Sequence, residues 1–293
     1  MTSDYRQKLS DGKNLVGMMH FTGSPMLIEV MASAGHDFVN IDMEHSPIGI
    51  ELAAHLVRAA EAAGITPFLR VPAVDPGLIK KVLNLGVRGI IIPHATRDEC
   101  LAAVDAARYE PEGSRGSCPA VRAAKYTQPD WAEYTRQTNR DITIIPLLEE
   151  KAVVDDVDSI LAIDGIDIVF LGPFDYSISA GVPGANFDHP IMAGALNECV
   201  EAATRRGKYV MTSVGAKIDA TYARSIFDAG VRLISYSADA LVFLEACRAI
   251  AATRDARRSA ASGAKPKNND GSTSSTSKTS GRWRASRTRS TLA

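Results

Sequence analysis

Eight short runs rich in β-branched residues, separated by longer segments of helical period that stop on glycine, predict an α/β fold of the (β/α)8 TIM-barrel class. The runs lie at 15–21, 37–44, 66–71, 89–95, 142–149, 166–171, 208–213 and 231–237. Between the second and third, GIELAAHLVRAAEAAG places Leu52, Leu56, Ala59 and Ala63 on one helical face, and Gly64 ends the segment just ahead of Thr66. Gly35, Gly86, Gly165, Gly207 and Gly230 stand in the same place before other runs. The alternating stretch has about the ~250 residues typical of such a barrel. A doubly wound open sheet is the other arrangement this alternation allows, but the first strand–helix junction, HFTGSPMLIEV, lacks the GxGxxG of a dinucleotide fold. One link, 111–140, is too long for a turn. Its Arg115, Arg122, Lys125 and Tyr126 mark it as a functional loop.

With 45% hydrophobic and 23% charged residues among 293, disorder of the whole chain is excluded. No apolar run approaches the ~18 residues of a membrane span, and MTSDYRQKLSDGK lacks the apolar core of a signal peptide. A cytoplasmic protein with no membrane partner is expected. Cys100, Cys118, Cys199 and Cys247 form no CxxC pair and read as reduced, mostly buried thiols. The net charge of -1 conceals two unlike parts. Residues 254–293 hold ten Lys/Arg and two Asp, leaving 23 basic and 32 acidic residues in the rest of the chain. This basic Ser/Thr/Gly-rich tail has almost no aliphatic side chains to offset its ordering entropy, so disorder is expected there. The expected organisation is a catalytic barrel over 1–253 and a solvated tail over 254–293, with no function assigned to the tail and no nucleic-acid partner.

In a barrel the chemistry stands at the C-terminal ends of the strands. His45 follows the second run, Arg70 lies near the end of the third, Glu149 ends the fifth and Asp175 comes just beyond the sixth. Each alone could be a satisfied structural residue or a helix cap. Glu149 and Asp175 belong to consecutive βα units, so both carboxylates can reach one cation, and an all-oxygen pair favours Mg²⁺ or Mn²⁺, with Co²⁺ a further option. No run ends in lysine, and Lys208 begins its strand, which disfavours Schiff-base chemistry. A metal ion, an arginine and a histidine base are the equipment for stabilising an enolate: the ion polarises a carbonyl, Arg70 balances a carboxylate and His45 moves a proton.

The segments AGHDFVNIDMEHSP, PFLRVPAVDPGLIKKVLNLGVRGIIIP, YEPEGSRG, LLEEKAVVDDVDSIL and GIDIVFLGPFDYS resemble the HpcH/HpaI aldolase family over roughly residues 5–250. The D-x-E-H element at 42–45 and the G-P-x-D-x-S element at 172–177 carry the likeness. The resemblance implies a metal-dependent class II pyruvate aldolase that cleaves 4-hydroxy-2-oxoacids to pyruvate and an aldehyde through a metal-stabilised enolate. It implies that Glu149 and Asp175 hold the metal, and that His45 and Arg70 are catalytic. It also implies a homo-oligomer, a hexamer with an exchanged C-terminal helix. Asp42 is expected to orient His45. Oxaloacetate decarboxylation, or another enolate reaction forming a C–C bond, remains an alternative, as does a non-catalytic metabolite-binding barrel.

Departures from the family pattern bear on the substrate. Leu147 stands where many members have glutamine, Phe174 replaces a small residue and Tyr176 a leucine, which predicts a narrower, more apolar pocket. Asn84 stands where several relatives have a carboxylate, removing any proton relay through that position. The 2-oxoacid substrate is expected against Arg70, Gly172, Pro173, Phe174 and Leu147. Arg122, in the long link, is a candidate for the acceptor's hydroxyl or carboxylate, with a surface salt bridge as the other reading.

Overall fold

All eight predicted runs are strands, and they close a parallel barrel in chain order, the eighth pairing with the first. The computed structural model describes residues 5–127, 129–215 and 218–254. The strands are β1 (Leu15–His20), β2 (Phe38–Asp42), β3 (Thr66–Arg70), β4 (Gly89–Ile92), β5 (Thr143–Leu148), β6 (Ile168–Leu171), β7 (Tyr209–Val214) and β8 (Leu233–Ala238). Helix α1 (Tyr5–Ser10) precedes β1, and α2 (Pro25–Ser33), α3 (Ile50–Ala63), α4 (Pro76–Leu85) and α5 (Arg97–Ala107) follow the first four strands. Helix α6 (Trp131–Asp141) leads into β5, α7 (Lys151–Asp155) and α8 (Val157–Leu161) follow it, and α9 (Pro173–Ser179) and α10 (Pro190–Arg205) follow β6. Helix α11 (Ala220–Asp228) follows β7, and α12 (Asp239–Ala252) begins where β8 ends. The chain divides into a unit Met1–Ala249, which holds the barrel, and a unit Ile250–Ala293, of which only residues 250–254 are described. The expected tail disorder therefore falls almost wholly outside the described residues.

The two-residue period of a strand sorts the side chains into two cores. Phe38, Phe68, Ile91, Ile145, Leu147, Ile168, Phe170, Met211 and Leu233 fill the barrel, and Tyr5 and Leu9 of α1 join the same cluster. The Tyr5 ring meets the Phe68 ring edge-on, with centroids 5.1 Å apart. The larger cluster, including Val39, Ile41, Leu56, Leu69, Ile90 and Leu196, packs strands against helices. The alternation also positions the chemistry: Asn40 and Asp42 lie two and four residues beyond inward-facing Phe38, Arg70 two beyond Phe68, and Glu149 two beyond Leu147.

The six glycines predicted to stop helices all have positive φ. At Gly64 the requirement is clearest: it closes α3 at φ 83, where a β-carbon would strain the backbone, and its N–H returns to the carbonyls of Ala60 and Glu61. The long link is less irregular than the sequence suggested. It contains a 3₁₀ turn at Arg122–Ala124, and its last third is α6, whose N-cap Asp130 accepts from the Glu133 N–H. WAEYTRQTNRD is amphipathic but strongly polar: Asn139 is its buried residue, and the partly buried Trp131 and Tyr134, with ring centres 5.0 Å apart, carry its apolar face. Two of the four cysteines, Cys118 and Cys247, are exposed rather than buried. Among the described residues no helix is long and apolar enough to cross a membrane.

Candidate active site

At the C-terminal end of the barrel the register sets Asp42 of β2 directly beside Arg70 of β3. Asp42, fully buried, accepts from Arg70 Nε at 2.8 Å and Nη2 at 3.0 Å, a two-point clamp. Its oxygens also accept the backbone N–H groups of Glu44, at 3.0 Å, and His45, at 3.1 Å. This corrects the sequence expectation: Asp42 holds the backbone of His45 and the side chain of Arg70, not the imidazole ring. The same geometry commits the Arg70 fork to Asp42 through Nε and Nη2, with Nη1 in an ion pair 3.0 Å from Glu44 Oε2, so N–H groups on the two terminal nitrogens remain for a substrate. Burial lowers the Arg70 pKa, but hydrogen bonding and charge from Asp42, with Glu44 and Glu149, raise it further, so it stays charged. The His45 ring is 59% exposed, and its Nε2 lies 3.7 Å from Glu44 Oε2.

Glu149, one residue beyond β5, is 3% exposed. Its Oε2 accepts the His94 N–H at 2.9 Å, and the His94 ring stands 3.3 Å away. Burial pushes the Glu149 carboxyl up to about 7; His94 opposes that rise, while the like charges of Asp175 and Glu44 add to it. Gly172 packs tightly here, because a β-carbon in its place would lie 3.0 Å from Glu149 Cγ and 3.2 Å from Leu147 Cδ1. Pro173 then starts α9 and Asp175 lies in its first turn. A buried carboxylate pressed by two like charges, in a set of hard oxygen donors, fits a divalent cation. Among the described residues no group of three or more ligand-type side chains gathers. Glu149 and Asp175 would thus be the protein's share, with water and substrate completing the shell.

His94 and Glu44 escaped the sequence reading. Glu44 lies within the D-x-E-H element, and His94 follows β4 by two residues in IIIPHAT, the signal that could have found it. His94 holds φ 47, uncommon for a residue with a side chain, and its Nδ1 lies 2.8 Å from Glu150 Oε1, which raises its pKa. A further strand-end histidine, His20, is fully buried with Nδ1 2.9 Å from Asp239 Oδ2. Burial alone would raise the Asp239 pKa, but hydrogen bonds from His20, Thr22 and the Phe21 N–H hold it well below the usual carboxylate range. This pair ties the end of β1 to the start of α12.

Other predicted residues part from the site. Arg122 pairs with Glu61, near the C-terminal end of α3, and donates to the Leu85 carbonyl at 2.7 Å. Both partners lie at the N-terminal face, so Arg122 does not reach an acceptor bound at Glu149 of the same chain. Its side chain is too short to span a barrel. Asn84 lies on that face too and accepts from Arg115. Tyr176 is buried against the helix layer and does not narrow the mouth. Phe174 is 71% exposed and borders, with Pro173, Ser177, Val214 and Tyr222, a cavity of about 220 Å³. Lys208 donates to the carbonyls of Leu161 and Ile163 at the stability face, as expected.

A closed parallel barrel with carboxylates, an arginine and histidines at the C-terminal strand ends is the architecture of a barrel enzyme. Residues 17–246 match the HpcH/HpaI aldolase/citrate lyase family model, and the chain belongs to that family. This places it among carbon–carbon lyases. The 5-keto-4-deoxy-D-glucarate aldolase of Enterobacter sp. (strain 638) is 34% identical over 238 residues, covering 80% of this chain and 90% of the relative. The crystal structure of an HpcH/HpaI aldolase from Desulfitobacterium hafniense DCB-2 superposes with a TM-score of 0.79 at 29% identity, covering 85% of this chain and 95% of the other. The citrate synthase SbnG superposes with a TM-score of 0.77 at 29% identity, covering 88% and 100%.

Proposed function

We propose that the chain is a metal-dependent class II aldolase that cleaves 4-hydroxy-2-oxoacids to pyruvate and an aldehyde, and joins them in reverse. The observation that carries this reading is the buried Glu149 carboxylate, pressed by Asp175 and Glu44 beside the clamped Arg70. A divalent cation held by Glu149 and Asp175, Mg²⁺ or Mn²⁺ with Co²⁺ a further option, would polarise the 2-oxo group and favour the enolate charge. Arg70, immobilised on Asp42, presents its remaining terminal N–H groups to the substrate's carboxylate and oxo oxygens. His45, exposed and anchored through its backbone, takes the proton of the 4-hydroxyl as the C3–C4 bond breaks and its electrons pass toward the 2-oxo group. The proton held by His45 then passes to C3, directly or through water, which yields pyruvate and restores the neutral imidazole. Gly172 and Pro173 let the chain approach closely where the substrate meets Glu149.

Exchange of pyruvate methyl protons in D₂O, with and without Mg²⁺ or Mn²⁺, tests enolate formation. Metal-dependent exchange is expected; its absence would leave a non-catalytic, metabolite-binding barrel. Release of pyruvate from a panel of 4-hydroxy-2-oxoacids tests the cleavage. His45→Ala should lose on the order of 10²- to 10⁴-fold in kcat, the usual contribution of a positioned acid–base group. Near-normal kcat at neutral pH would assign the proton to another group.

Leu147 cannot hydrogen-bond a ligand and Phe174 borders an apolar cavity, which supports compact or apolar acceptors. A substrate hydroxyl facing either side chain would lose a partner, about 1–3 kcal/mol or roughly 5- to 150-fold in kcat/KM. Phe174→Ala combined with Leu147→Gln should therefore improve cleavage of a 2-keto-3-deoxy sugar acid relative to a short aliphatic 4-hydroxy-2-oxoacid. A wild-type preference for the sugar acid would overturn the inference. The likeness to citrate synthase SbnG favours a second reading, an enolate reaction other than aldol cleavage, either C–C bond formation or oxaloacetate decarboxylation, the latter giving the pyruvate enolate directly. Release of CO₂ from oxaloacetate at a rate exceeding every aldol cleavage would select it. A homo-oligomer, hexameric by family likeness, is part of the proposal: Leu241, Phe243 and Leu244 of α12 are exposed in the single chain.

A further inference from the structure

The basic residues of the long link gather at the end of the barrel opposite Glu149. A cavity of about 790 Å³ opens there, and Arg88 and Ile142, the residues just ahead of β4 and β5, line it. Arg115 forms part of its wall and is 4% exposed. The Arg115 guanidinium lies 4.5 Å from the centre of the Tyr109 ring, and Nη2 donates to Asn84 Oδ1 at 3.0 Å. Its Nε and Nη1 are buried without a hydrogen-bond partner. No carboxylate pairs with it among the described residues.

Of the acidic groups lining the cavity, Glu61 is paired with Arg122 and Glu133 with Arg136, which leaves Asp141 and Asp130, the latter also capping α6. Against these two stand three cations, Arg115 and the exposed Arg88 and Lys125. The balance favours an anion. Burial also lowers the Arg115 pKa, a cost that a counter-charge would offset. Lys125 and Tyr126, at the rim, hold left-handed φ values of 52 and 65, a backbone state that is costly without glycine and recurs at ligand clamps.

We propose that this cavity binds an anionic metabolite, with a phosphoryl or carboxylate group on the Arg115 guanidinium and further negative charge facing Arg88 and Lys125. Its volume lies in the range of small-molecule sites, large enough for a body of sugar-phosphate size beyond the anionic group. The site is separate from the catalytic face and independent of the reaction proposed there.

Thermal melts and calorimetric titration of the full chain with inorganic phosphate and with succinate, at matched ionic strength, test it. A saturable response to phosphate assigns a phosphoryl group, and one to succinate a carboxylate. Affinity should fall at least tenfold in Arg115→Met. It should also fall in the double variant Arg88→Ser, Lys125→Ser, which alters only exposed side chains and keeps the test valid should Arg115→Met fold poorly. No saturable response to either anion would overturn the proposal, as would a response that both variants retain. Dissociation of a larger assembly by the double variant, with no anion bound by the wild type, would also overturn it by showing that a second copy of the chain fills the cavity.

Discussion

Glu149→Gln is expected to abolish aldol turnover, by about 10³-fold or more, while leaving the barrel folded. Replacing this carboxylate removes one of the two protein ligands proposed for the cation, and with it several kcal/mol of charge stabilisation in the reaction. The fold should tolerate the change. Glu149 is a buried acid whose charge is opposed by burial, Asp175 and Glu44, and the glutamine oxygen can still accept the His94 N–H. Asp175→Asn should behave alike. The melting temperature of the wild type should rise with added Mn²⁺, and that rise should be lost in both variants, a readout that does not depend on turnover. Full activity in excess EDTA would defeat the metal-dependent assignment.

Arg70→Lys should lose at least about 10²-fold in kcat/KM, because an ammonium cannot hold both oxygens of Asp42 and also reach Glu44 and the substrate. Arg70→Met goes further. It would leave Asp42, fully buried, and Glu44 without their shared cation, and breaking such a buried pair costs about 3–5 kcal/mol. Chemical denaturation should show that loss in the methionine variant, with a smaller one in the lysine variant. Native stability together with native kcat/KM in Arg70→Lys would show that the clamp positions nothing.

The eight strands and the glycine stops were legible because strand period, helix period and the left-handed helix end are local properties of the chain. The strand-end positions of Arg70 and Glu149 followed from the same periods, since each lies two beyond an inward-facing core side chain, Phe68 and Leu147, and so faces the barrel mouth, while His45 was placed by following the end of β2. Helix α6 was not legible: its apolar face is only Trp131 and Tyr134 in an otherwise polar segment, and these rings find their partner, Tyr109, through the fold.

What the sequence determined by itself is the barrel, the order of its parts and the kinds of groups at its mouth, all set by short-range pattern. Which groups pair was decided only by tertiary structure. Asp42 could have served His45, its near neighbour in sequence, but the β2–β3 register puts the Arg70 guanidinium against both its oxygens at 2.8 and 3.0 Å. His94 and Glu149, 55 residues apart, meet because β4 and β5 are adjacent strands. Arg122 could have reached toward substrate, yet the path of its link carries it to Glu61 at the far end of the barrel. A charged side chain takes the counter-charge that the fold brings nearest, and sequence distance does not measure that separation.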